Sequence, residues 1–255
     1  MKQIVEEIEQ ALRQYADPVK QEILPRFFKT GKGEYGEGDC FLGVVVPNVR
    51  LVARQCRNIP FEAVAALLQS PWHECRLCAL LILVERFKKT DEKEQKRIFN
   101  FYLVHTPYIN NWDLVDLSAP AIVGEYLKQK PREVLYRLAD SSLLWEQRIA
   151  IVSTLTFIRN HDFTDTFRLS AHFLHTGCTL NAHSCQPLHT KLHTHFKMHD
   201  LMQKAIGWML REAGKRNKEL LLHFLEEHHA RMPRTMLRYA IEKFPEPERK
   251  YWLKR

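Results

Sequence analysis

Glycine is scarce in this chain, with 9 in 255 residues, and four of the nine sit together at Gly31, Gly33, Gly36 and Gly38. The rest of the chain therefore has few sites for tight turns, which argues against an all-β sandwich and toward helices. Cysteine is scarce as well: six in a chain of this length do not make a disulfide scaffold. No apolar run approaches the ~18 residues that span a bilayer. The first turn carries Glu6 and Glu7 instead of the cationic start of a secretory signal, so a cytoplasmic protein is expected. The stretch Gly31-Lys32-Gly33-Glu34-Tyr35-Gly36 lacks the Gly-Lys-Ser/Thr end of a phosphate loop. It reads as a flexible loop.

Positive charge is in excess. Lys and Arg number 38 against 30 Asp and Glu, a formal net charge of +8, which makes a polyanion a plausible partner. With 45% hydrophobic and 27% charged residues, the composition is that of a globular protein and excludes a disordered or collagen-like chain.

Helical periodicity recurs almost throughout. Ile4, Ile8, Leu12 and Tyr15 mark a first amphipathic helix that should stop near Asp17-Pro18. Residues 25–46 read as a loop with a short extended segment. From Pro47 onward, helix and short break alternate, with helices expected at 48–57, 61–69, 72–88, 92–103, 112–128 and 132–139. They continue at 143–159, 163–175, 200–215, 218–230 and 233–244. Pairs of helices thus recur roughly every 35–45 residues, the spacing of HEAT-type repeats. The fold class predicted is all-α, an α-solenoid of HEAT-like repeats in one domain over 1–255 with a concave binding face; an irregular all-α bundle is the alternative. One stretch, 176–197, breaks the rhythm and is longer than connections usually are, so a flexible insertion is expected there.

The residues that could carry chemistry cluster at 111–120. Asn111 is a good N-cap and Asp113 a favourable first-turn acid, a role that would account for Asp113 in full. Asp116 lies beyond the first turn and four residues from Trp112, so carboxylate and indole should project from one face. Pro120 removes the hydrogen bond to the carbonyl of Asp116, and a kink is expected beside it. An ordinary surface Asp beside a packed Trp is the other reading. Farther on, Lys204, Trp208, Arg211 and Lys215 fall on one helical stripe, an indole flanked by three cations that suits an anionic backbone. Arg148 interrupts an apolar helix, and pairs either with a phosphate or with Glu146 or a neighbouring repeat.

Three segments carry a resemblance. Asn-Trp-Asp-Leu-Val-Asp at 111–116, Leu-Trp-Glu-Gln-Arg at 144–148 and Gln-Lys-Ala-Ile-Gly-Trp-Met-Leu-Arg-Glu at 203–212 resemble the AlkD-type alkylpurine DNA glycosylases. That family's HEAT-like enzymes are about this size, and the likeness runs on through 233–240. The resemblance implies Asp116 as the catalytic carboxylate, Trp112 and Trp208 as aromatic walls of the site, and Arg148 as a phosphate contact. Lys204, Arg211 and Lys215 are then added as DNA-binding residues. It implies hydrolysis of the N-glycosidic bond of cationic N3- or N7-alkylated purines in double-stranded DNA, without strand cleavage, by a monomer that uses no cofactor or metal and no membrane. A non-catalytic repeat scaffold binding damaged or branched DNA, or a protein, is the rival.

Two metal-like signals are set aside. Cys178, His183, Cys185, His189, His193 and His195 match no standard zinc spacing. Cys75 and Cys78 lie in a strongly apolar helix and read as core.

Overall fold

The computed structural model describes residues 2–176 and 198–255. Of the stretch expected to be an insertion, only Thr176 is described, as the last residue of a helix; the rest, with its histidines and cysteines, lies outside the described residues. The chain divides into two compact units, 1–126 and 127–255. Both are helical, and among the described residues the only β-pairing is an isolated bridge between Cys40 and Trp72. No helix is long and apolar enough to cross a membrane.

The first unit contains α1 (Lys2–Arg13), α2 (Pro18–Phe27), α3 (Val46–Gln55), α4 (Phe61–Leu68), α5 (His73–Phe87), α6 (Glu92–Val104) and α7 (Trp112–Ala119). Then come a π-helical turn, Pro120–Gly124, and a short α8, Glu125–Leu127, which leads into the second unit. Helix α5 is the core: the run Leu77 to Val84 is at most 2% exposed, apolar all round, and packs on α3, α4 and α7. Along the unit α1 packs on α3, α3 on α5 and α5 on α7, the alternate-helix stacking of a repeat array. The same burial settles Cys75 and Cys78, 1% and 0% exposed, as core side chains.

Helix α2 was not anticipated. Its start is a textual signal all the same: Asp17 Oδ1 accepts from the amides of Val19 and Lys20 at 2.9 and 3.4 Å, with Pro18 in the first turn. Residues 41–45, where a short extended piece was expected before Pro47, form an irregular segment that follows the bridge at Cys40. It is pinned by the buried Glu74, whose carboxylate accepts from the amides of Leu42, Gly43 and Val44 at 2.9, 2.9 and 3.1 Å. Gly43 has φ +83°, and a Cβ there would lie 2.3 Å from the Asp17 carbonyl oxygen, so only glycine lets this segment pass the start of α2.

The second unit holds α9 (Glu133–Ala139), α10 (Leu144–Ser153), α11 (Leu155–Arg159), α12 (Thr164–Thr176), α13 (Asp200–Gly214), α14 (Lys218–His228), α15 (Arg234–Ala240) and α16 (Glu246–Lys254). Here α10 packs on α13 and α13 on α15, while α12 packs on α14 alongside. The single helix expected at 143–159 is split at Thr154. The hydroxyls of Ser153 and Thr154 bond back to the carbonyls of Ile149 and Ile151 at 2.6 and 2.7 Å, competition that bends helices. The final helix, α16, was also not anticipated, although Pro247 in its first turn and Glu246 and Glu248 are start signals.

Candidate active site

Asn111 caps α7 as expected, its Oδ1 accepting from the Trp112 amide at 2.8 Å. The helix ends at Ala119, and the kink expected at Pro120 takes the form of the π-helical turn. Ser118 is held inside by two contacts, to the Leu114 carbonyl at 2.5 Å and to the Tyr102 hydroxyl at 2.9 Å. The helix is thereby fixed in rotation, and Trp112 and Asp116, both half-buried, line one cavity of about 470 Å³. The one-face expectation for this pair matches the arrangement.

The rest of that cavity wall is aromatic and aliphatic. Trp112 stacks on Phe28 with ring centroids 5.3 Å apart and planes 18° from parallel. Phe28 stacks on Phe41 at 5.1 Å, and Phe41 on the His73 imidazole at 4.8 Å, making a continuous ladder of rings. Phe27 meets Trp112 edge-on at 5.7 Å and is 60% exposed at the cavity's edge. Leu24, Val44, Val46 and Leu77 complete the apolar part, and Lys20 reaches the lining from α2. An apolar wall around few polar groups is the usual composition of a small-molecule site.

The polar groups in this wall have separate tasks. Glu74 is spent on three backbone amides, as above. Asp113 is not merely a first-turn acid, and that expectation is corrected: the side chain is buried, and Nε2 of His73 donates to its Oδ2 at 2.8 Å. Nδ1 of His73 donates to Asp39 at 3.3 Å, and Asp39 also pairs with Arg76 at 2.6 Å. All four side chains are nearly excluded from solvent, so two carboxylates face one imidazolium and one guanidinium. Burial alone would lower the His73 pKa. The Asp113 charge and the hydrogen bonds to Asp113 and Asp39 outweigh it and push the pKa up to about 9. Burial works to raise the Asp39 pKa, but the His73 bond and the Arg76 charge hold the carboxyl below its usual value. The network holds α5, α7 and the 28–41 segment together beneath the ring ladder. Asp116 lines the cavity beside them.

The remaining predicted residues belong to the second unit. Trp208 is half-buried on α13. Gly207 beside it permits close approach of α15: a Cβ would lie 2.6 Å from the Met236 carbonyl oxygen and from the Tyr239 Cβ. The three flanking cations all have carboxylate partners: Lys204 pairs with Asp200 at 2.6 Å, Lys215 with Glu212 at 2.9 Å, and Arg211 with Glu242 and with Glu212. Each cation of the stripe is therefore paired, although Glu212 is shared with Arg216 and Glu242 with Lys243, and surface pairs of this kind exchange partners at little cost. Arg148 is 5% exposed and donates to the Leu201 carbonyl at 2.6 Å, tying α10 to the first turn of α13. With so little surface, it is better placed to hold the helix that carries Trp208 than to meet solvent.

Phe27, Phe28, Phe41, His73 and Lys20 were missed by sequence reading. All but His73, which opens the strongly apolar α5, come from segments without strong periodicity, and only the aromatic doublet Phe27-Phe28 offered a signal. Among the described residues, no three His, Cys, Asp or Glu side chains are placed to hold a metal ion.

No curated protein matches the sequence significantly. In structure the chain is similar to a predicted DNA alkylation repair enzyme from Enterococcus faecalis, with 14% identity and a TM-score of 0.62 over 91% of this chain and 97% of that one. That likeness shows the fold. The sequence profile of the family described as DNA alkylation repair enzyme matches residues 8–244, and the chain belongs to that family.

Proposed function

We propose that the protein is a DNA glycosylase that hydrolyses the N-glycosidic bond of cationic N3- or N7-alkylated purines in duplex DNA. The observation that carries this reading is the half-buried Asp116 lining an aromatic-walled cavity beside Trp112. A purine alkylated at N3 or N7 already carries positive charge and leaves with the electron pair of the bond to C1′, becoming neutral. No strong acid is needed to expel it. Positive charge then builds on the deoxyribose, where a carboxylate stabilises it and orients water onto C1′, and where ring faces favour a cation. The water oxygen bonds to C1′ and its proton passes to solvent or to Asp116. Glu74 and Asp113 have no part in this, since their oxygens are taken by amides and by His73.

The family resemblance gives Trp208 a part as a second aromatic wall, which Trp208→Ala tests by slowing excision without lowering affinity for undamaged duplex. Lys204, Arg211 and Lys215 are assigned to phosphates, exchanging their carboxylate partners for the backbone. Arg148 is assigned first to positioning α13. Lys20 at the cavity lining bears on the absence of lyase chemistry. Its proposed role is a contact to a phosphate flanking the lesion, so borohydride treatment during turnover should trap no protein–DNA adduct. An adduct that disappears in Lys20→Ala would show Schiff-base chemistry and overturn that part of the reading. The reading as a whole is tested by release of free 7-methylguanine or 3-methyladenine from methylated duplex. Failure to release either, with undamaged and methylated duplex bound equally, would favour a non-catalytic scaffold.

A further inference from the structure

The first unit also carries a groove larger than the aromatic cavity. It has a volume of about 1010 Å³ and lies where the α3–α4 turn meets the end of α5 and the first turns of α6. Its lining is polar throughout. Six side chains are cationic (Arg57, Arg86, Lys89, Lys93, Lys96 and Arg97), Asp91 and Glu94 are the carboxylates, and Asn58, Thr90 and Asn100 supply neutral hydrogen-bonding groups. The excess of four positive charges compares with eight for the entire chain.

The two carboxylates do little to neutralise it. Asp91 is the N-cap of α6, accepting from the Glu94 amide at 2.9 Å. Glu94 is shared by Arg86 and Arg97. Those two guanidiniums are also seated on the Phe61 ring, 4.6 and 4.2 Å from its centroid, so they form a fixed floor. Above it, Arg57, Lys89, Lys93 and Lys96 are exposed and form no ion pair among the described residues. Cations held together in excess of their counter-charge repel one another, and an incoming polyanion relieves that repulsion.

We propose that this groove is a second phosphate-binding surface, which holds nucleic-acid backbone away from the lesion cavity. The lining chooses between polyanions. A protein partner gains its affinity from a buried apolar or aromatic centre, and this groove offers no exposed apolar side chain. A phosphodiester backbone needs point charges and donors and nothing apolar. Naming DNA as the polyanion rests on the glycosylase reading above. Position agrees with a contact outside the lesion. His73, at the cavity, and Arg86, in the groove, occupy opposite ends of α5, thirteen residues apart. At ~1.5 Å rise per residue the two sites are separated by about 20 Å along that helix.

The test uses the full chain with Lys89, Lys93 and Lys96 all changed to Ala, and as control Lys2, Lys250 and Lys254 changed to Ala. All six lysines are exposed, so both triple variants should melt like the parent. Binding of an undamaged duplex is measured across a salt series. Each lost phosphate contact lowers the slope of log affinity against log salt by ~0.9, so the groove variant should lose about two to three units and the control none. Excision at saturating lesion DNA in a single turnover should be unchanged. An unchanged slope, an equal loss in the control, or loss of excision at saturation each overturns the proposal. So does displacement of duplex from the parent, but not from the groove variant, by a poly-glutamate peptide at matched charge, which would make an acidic protein the occupant. If the parent excises no base while the groove variant still loses its slope, only the glycosylase reading fails.

Discussion

Asp116 and Asp113 lie three residues apart on α7, and their surroundings give them different fates. Asp113 is locked beneath the ring ladder by His73, whereas Asp116 is half-buried on the cavity wall. The imidazole between Asp39 and Asp113 makes stability depend on pH. Folded, His73 holds its proton up to about 9, against 6.5 for an unperturbed side chain. The folded chain therefore binds more protons between those values, so this contribution is complete below 6.5 and is lost as pH rises through 9. It is expected to be on the order of 1–3 kcal/mol. Urea titrations at pH 6 and pH 9.5 should show the parent weakening with pH and His73→Gln, weaker throughout, changing much less. Equal slopes in the two proteins would place the proton elsewhere. None of this was readable from the sequence, since a His and an Asp forty residues apart meet only once α5 and α7 have packed. The i, i+4 relation of Trp112 and Asp116 needed no packing to be seen. It follows from helical geometry alone.

Local signals carried most of the elements. Proline in a first turn, Asn or Asp as a cap, and a 3.6-residue apolar period placed the boundaries of α4, α6, α13 and α14 within a few residues. What escaped were helices with short or weak apolar stripes, α2 and α16, and the division of α10 from α11, where a pair of hydroxyls turns inward. Whether a helix can lie close to another depends on single atoms. Gly207 is the clearest case, because an added methyl would strike the backbone of α15 and no flexible tip could yield. Gly207→Ala should cost about 1–3 kcal/mol by overpacking, or a fall in Tm of several degrees for a chain of this size. Thermal unfolding followed by circular dichroism measures this directly. A Tm equal to that of the parent would mean that α13 and α15 are less tightly packed than the contact implies.

At the scale of the whole chain, the all-α architecture was legible because the apolar period persists nearly from end to end. The distribution of charge was not. The stripe about Trp208 looks cationic in one dimension, yet each of its cations is paired with a carboxylate of its own helix or with Glu242. Along α6 and its approach, by contrast, six cations face two carboxylates in one groove. Lys204→Ala should still lower the salt slope of DNA binding by about one unit if that lysine exchanges Asp200 for a phosphate; an unchanged slope would leave it paired in the complex. The central claim concerns Asp116, and single-turnover excision of 7-methylguanine from duplex DNA by Asp116→Asn tests it most directly, with Asp113→Asn beside it. Asp116→Asn should slow excision by about 100-fold or more, the scale of losing a group aimed at developing charge. Its affinity for DNA should be equal or greater, since a negative charge facing phosphate is gone. Asp113→Asn should lower the Tm and leave the folded fraction active. Excision by Asp116→Asn at the parent rate would contradict the account.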